Sequence, residues 1–101
     1  VWIALDEALA YICRLMAFTV NKGWTESDEG FAVRYDGRLA VRYREGERSM
    51  RVPGEWLATD GFWLDEESIG AWDPPHQHEP VLRDRLVMRV RDALAFRGIE
   101  V

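Results

Sequence analysis

Apolar and polar positions alternate through the middle of the chain. Phe31, Val33 and Tyr35, then Leu39, Val41 and Tyr43, then Met50 and Val52 share one parity, while Arg34, Arg42, Arg44 and Arg51 hold the other. Successive side chains of a strand point to opposite faces, so the pattern predicts strands over residues 31–35, 39–44 and 48–52, with one buried face and one arginine-rich face. Short turn-like connections make them an antiparallel meander.

Register follows from the turns, because a one-residue slip would send every apolar side chain to the wrong face. A two-residue loop at Glu45-Gly46 pairs Val41 with Met50 and Leu39 with Val52. A three-residue loop, Tyr35-Asp36-Gly37, with Gly37 in the left-handed conformation, pairs Val33 with Leu39 and Phe31 with Val41. Pro53-Gly54 is expected to end the third strand, and Phe62-Trp63-Leu64 supplies a fourth. Asn21-Lys22-Gly23 reads as a turn, and residues 26–30, which are polar, as a loop.

Helical spacing occurs at both ends. Leu5, Ala8, Leu9, Ile12, Cys13 and Met16 predict a helix over residues 5–16, with Asp6 and Glu7 at its positive end. Residues 1–15 are expected to be an appended segment and residues 16–101 a single α+β domain. Leu82, Leu86, Val90, Ala93 and Leu94 form an apolar stripe on a second helix, which Glu79-Pro80 is expected to open and Gly98 to close. Residues 99–101 could return as an edge strand. The fold class expected is α+β: a four- to five-stranded antiparallel meander packed against a C-terminal amphipathic helix, with an N-terminal helix.

Composition narrows the class. A chain of 101 residues makes one domain, and 48% apolar with 31% charged residues is a globular balance. Cys13 is the single cysteine, which excludes an intrachain disulfide and a cysteine-based zinc site. The apolar run over residues 8–20 is interrupted by Arg14 and preceded by Asp6 and Glu7, unlike a signal peptide or a spanning helix. A cytoplasmic location is expected.

Charge is unevenly placed. The net charge is −5, yet residues 55–79 carry Glu55, Asp60, Asp65, Glu66, Glu67, Asp73 and Glu79 with no Lys or Arg, leaving the remainder net positive. Such a field repels nucleic acid and speeds encounter with cationic partners.

Candidate chemistry concentrates between Phe62 and Pro80. Asp73, His76, His78 and Glu79 could be drawn as a metal site, or Glu66 with a histidine as an acid/base pair. A His-x-His step flanked by prolines reads better as a connector. No serine or cysteine nucleophile stands beside a plausible base, and no phosphate-binding glycine loop occurs. No catalytic residue, cofactor or metal is assigned, and the chain is expected not to be an enzyme. The tryptophans say more. Trp72 is expected to pack under the C-terminal helix. Trp63 falls opposite Phe62 and Leu64 by alternation and immediately precedes the acidic run, the position of a binding anchor. Trp63, Asp65, Glu66, Glu67 and Asp73 are the expected partner-binding residues. Arginines on the strands and last helix leave open a small regulatory or nucleic-acid-binding module.

The run GRLAVRYREGERSMRVPGEWL, then Ser68-Ile69 and Trp72-Asp73-Pro74-Pro75 leading into an arginine-rich helix, resembles a family of small bacterial immunity proteins, the group numbered seventy-four among those of polymorphic toxin systems. The similarity covers most of residues 16–101. It implies an α+β protein that neutralises a cognate toxin by binding it, and brings no catalytic residues. Toxins of such systems are often nucleases, so the resemblance implies that an acidic aromatic surface could occupy a basic active site. The expected partner is a protein toxin, with no membrane and no nucleic acid.

Overall fold

A computed structural model describes residues 18–57 and 61–97. Six strands run in chain order: β1 (Phe18–Asn21), β2 (Trp24–Ser27), β3 (Phe31–Tyr35), β4 (Ala40–Glu45), β5 (Arg48–Trp56) and β6 (Phe62–Leu64). Each pairs antiparallel with its neighbours in sequence, so the sheet order is β1-β2-β3-β4-β5-β6. A short 3-10 turn, Glu66–Ser68, follows β6, and helix α1 spans Arg83–Phe96.

The α+β meander is therefore present, with six strands rather than four or five. The added pair is β1 and β2: the turn expected at Asn21-Lys22-Gly23 is present as their hairpin, while residues 26 and 27, expected in a loop, belong to β2. Lys22 and Gly23 both have positive φ, 53° and 86°, between the paired residues Asn21 and Trp24. That is the two-residue hairpin geometry whose twist matches the strands it joins. Polar Glu26 and Ser27 are tolerated because β2 needs only one buried side chain, Thr25, which faces Val33.

Face assignment survived while register did not. Val41 pairs with Val52 and Tyr43 with Met50, two residues from the expected register, because the loop is Gly46-Glu47 and not Glu45-Gly46. Gly46, φ 62°, takes the first central position that only glycine adopts without cost. On the other side, Tyr35 pairs with Val41 and Val33 with Tyr43, with residues 36–39 forming the loop. Both shifts are even, so Phe31, Val33, Val41, Tyr43, Met50 and Val52 still share the buried face. Leu39 and Tyr35 do not stay in the core: Leu39 moves into the loop, and Tyr35 lies exposed at the end of its strand against Trp56.

β5 does not end at Pro53-Gly54 but continues to Trp56. The Asp65 N–H donates to the Pro53 carbonyl at 3.0 Å, so the missing N–H of Pro53 falls on the β6 side, at the end of that pairing, where little is lost. Gly54 lies where the Phe62 ring closes on the backbone; a Cβ there would collide with that ring and with the Trp63 carbonyl oxygen.

α1 starts at Arg83, several residues after Glu79-Pro80, with Leu82 as its N-cap. It lies across β2 and β3 and buries Leu86, Val87, Val90, Ala93 and Leu94. Leu82 is exposed instead of joining the stripe. The core is one cluster of this helix face, the inner sheet face, Phe18, Phe62, Ile69 and Trp72. The helix expected over residues 5–16, the Gly98 cap and the edge strand over 99–101 lie outside the described residues.

Candidate functional site

Alternation places the β6 side chains. Phe62 is buried against Trp56, ring centroids 4.7 Å apart, while Trp63 is 59% exposed on the opposite side. The chain then leaves the sheet under restraint. The Asp65 N–H holds to the Pro53 carbonyl, the Asp65 carboxylate accepts the Ser68 hydroxyl at 2.6 Å, and the Ser68 N–H donates to the Asp65 carbonyl at 3.2 Å. Ile69 is buried and anchors the far end. Between the anchors Phe62 and Ile69, the Glu66 and Glu67 side chains stand in solvent with no ion pair to another described residue. The sequence-expected residues Trp63, Asp65, Glu66 and Glu67 thus form one ordered projection at the β6 edge.

Asp73 has a different setting. Its N–H donates to the Ser49 carbonyl at 2.8 Å, closing the connector onto the start of β5. Its carboxylate accepts Arg42 Nη1 at 2.6 Å and the Ser49 hydroxyl at 3.3 Å. Much of its charge is therefore met inside the protein. Trp72, next to it, is 3% exposed, lies on the Tyr43 ring at 5.9 Å, and donates its indole N–H to the Pro80 carbonyl at 3.1 Å. The packing of Trp72 in the core beside Leu86 of α1 matches the expectation. His76 Nδ1 meets Glu79, which also accepts from Arg48 at 3.3 Å. Among the described residues no three His, Cys, Asp or Glu side chains converge as metal ligands.

Sequence reading missed a charged cluster at the edge of the core. Glu45 shares the parity of Tyr43, so it lies on the inner face, where it accepts the Tyr43 hydroxyl at 2.8 Å and meets Arg48, Arg85 and Arg89 at 2.8, 3.4 and 3.3 Å. Arg89 also donates to the Tyr43 hydroxyl at 3.3 Å and lies over the Phe31 ring. Burial pushes the Glu45 carboxyl up, but the Tyr43 hydrogen bond and the three guanidinium charges outweigh it and leave it below the usual carboxylate value. Burial pushes the Tyr43 phenol up to about 12, with the Arg89 hydrogen bond opposing and Glu45 adding to the rise. A signal did exist: a glutamate in phase with buried Tyr43, and Arg85 and Arg89 one helical turn apart.

The outer sheet face is arginine-rich but largely compensated. Arg34, Arg42 and Arg51 stand opposite one another on β3, β4 and β5. Arg42 meets Asp73 and Asp36, Arg51 meets Asp36, and Arg44 meets Glu26. Trp24 takes the Arg34 and Arg44 guanidiniums against its ring at 4.8 and 4.3 Å.

No described helix is long and apolar enough to cross a membrane. No curated protein and no solved structure matches the chain. A family model described as Immunity protein 74 matches residues 33–101, which take in the last three residues of β3, β4 through α1 and the whole Trp63–Asp73 region. The chain therefore belongs to the Immunity protein 74 family.

Proposed function

We propose that this domain acts in the cytoplasm by binding a cognate protein toxin through the projection at the β6 edge, and that the toxin is a nuclease whose basic substrate surface the projection occupies. The observation that carries the reading is the exposed Trp63 on β6, followed within four residues by the exposed Glu66 and Glu67 on a hydrogen-bonded turn. A large aromatic side chain left in water at a fixed position is the usual form of an interface anchor, and rigid presentation lowers the ordering cost of association. Carboxylates beside it steer a cationic partner. Asp65 shapes the turn, and Asp73 adds negative potential at the margin.

The competing reading, a nucleic-acid-binding module, would use the outer arginines. Those at Arg42, Arg44 and Arg51 already meet carboxylates, which favours a protein partner.

The test is co-expression with the toxin encoded beside the gene, followed by binding kinetics of the purified pair. The wild-type protein should protect cells and bind. The double substitution Glu66→Lys, Glu67→Lys should slow association at low salt by about tenfold or more, with the difference shrinking as salt rises. Equal association rates for both proteins would sink the acidic-projection reading, and salt-dependent RNA or DNA binding without toxin binding would favour the nucleic-acid module.

A further inference from the structure

A cavity of about 140 Å³ lies between the start of α1, the β4–β5 turn and the connector that precedes the helix. Four of its walls are apolar: Trp72, Pro80, Leu82 and Leu86. The charged groups that line it are Arg48, Arg85 and Glu45.

The arginines around it differ in how far their charge is met. Arg48, Arg85 and Arg89 all converge on Glu45. Arg48 also meets Glu79, which is shared with His76, and Glu29 acts on Arg89 from further away. Arg85 is the least engaged: its contact with Glu45 is 3.4 Å, beyond the usual N–H···O range, and its side chain is 45% exposed. A guanidinium carries five N–H donors in a planar fork, so Arg85 keeps a face that can receive an anion. Leu82, 57% exposed, gives the mouth an apolar rim.

We propose that this cavity binds a carboxylate on a short aliphatic stem, supplied as a glutamate side chain by the bound toxin; the identity of the donor rests on the protein-partner reading above. The apolar walls accommodate methylene groups, and the Arg85 fork pairs two oxygens of one carboxylate. Inorganic phosphate has no aliphatic stem to fill the apolar walls, which favours the stemmed carboxylate. The toxin surface would then carry an acidic residue to meet Arg85 as well as the basic one that meets Glu66 and Glu67, and this opposed pair of charges would fix its orientation.

The pocket can be tested without the toxin, by following the Arg Nε–H and Trp indole N–H resonances of the isotope-labelled protein. N-acetyl-glutamate amide, with one side-chain carboxylate, should produce saturable shifts at Arg85, Arg48 and Trp72 in the millimolar range. N-acetyl-glutamine amide should not, and inorganic phosphate should act more weakly. Arg85→Gln, with an otherwise unchanged spectrum, should lose the response. No saturable shift with the glutamate probe, a stronger response to phosphate, or a response that persists in Arg85→Gln would overturn the proposal.

With the toxin in hand, Arg85→Gln should speed dissociation of the complex by roughly tenfold. An unchanged dissociation rate would overturn the assignment of the carboxylate to the toxin. Failure of the wild-type protein to bind any toxin, beside a positive probe titration, would place the fault in the proposed function and not in the pocket.

Discussion

Trp72 and Asp73 are consecutive residues that straddle the free edge of β5. The indole of Trp72 lies on Tyr43 on the inner face, and the carboxylate of Asp73 reaches Arg42 on the outer face. Tyr43 and Arg42 are themselves neighbours on β4, so the connector repeats the inward and outward alternation of the sheet it closes. The two contacts differ in kind, and so should the cost of losing them. Trp72→Ala should destabilise the protein by about 3–5 kcal/mol, as expected of a large buried aromatic. Asp73→Asn, which keeps the shape and loses the charge, should cost about 1 kcal/mol because both partners are partly solvated. Urea unfolding of the two variants checks the difference.

Gly54 is required by space and not by dihedral angle. Gly54→Ala would push its methyl group into the Phe62 ring and the Trp63 carbonyl, separating β6 from β5. A loss of about 2–3 kcal/mol is expected, in the upper range for overpacking, together with weakened hydrogen-exchange protection at the Trp63 and Asp65 amides. An unaffected variant would mean that β6 is more loosely attached than its packing indicates.

The phenol of Tyr43 gives stability an alkaline limit. Its folded value of about 12 lies above the ordinary 10.0, so the folded state holds the proton more tightly than the unfolded chain. The contribution is complete below pH 10 and is lost as pH rises from 10 towards 12. Denaturation midpoints of the wild-type protein should fall across that window more steeply than those of Tyr43→Phe. Glu45 acts in the opposite sense: its lowered carboxyl adds stability above the ordinary glutamate range and loses it as pH falls through the folded value, a loss that Glu45→Gln should not show.

Trp63 separates binding from folding. Exposed on the far side of β6, it contributes little to the core, so Trp63→Ala should change stability by no more than about 0.5 kcal/mol. In the toxin complex the same substitution should weaken binding by roughly 2 kcal/mol, the effect of removing an interface anchor. Parallel unfolding and calorimetric titrations distinguish this from a merely structural tryptophan, which would lower stability and affinity together.

Much of this architecture could be read from residue types, and the limits of that reading have physical causes. Period-two alternation assigned Phe31, Val33, Val41, Tyr43, Met50 and Val52 to one face because burial acts on each side chain through its own strand. Pairing depends on turn geometry, where Gly46-Glu47 and Glu45-Gly46 differ by one residue and only the backbone conformation decides. The β1–β2 hairpin was hidden for a related reason: its strands are short and polar, and Lys22 is an unusual residue to hold a positive φ. The exposure of Trp63 followed from simple parity. The Glu45 cluster did not, since a glutamate among arginines normally signals a solvated surface, and its role depends on Arg85 and Arg89 arriving from a helix about forty residues away.

The sequential order of the strands also bears on how the molecule comes into being. Every ladder joins segments that are adjacent along the chain, so the sheet can zip progressively from β1 to β6 with short loop closures and little entropic delay. Throughout that assembly Val33, Val41, Met50 and Val52 face water, because the helix that covers this side is the last of the described elements. Packing of α1 is what buries this face. Before it, the nascent sheet is an exposed apolar surface in need of shelter.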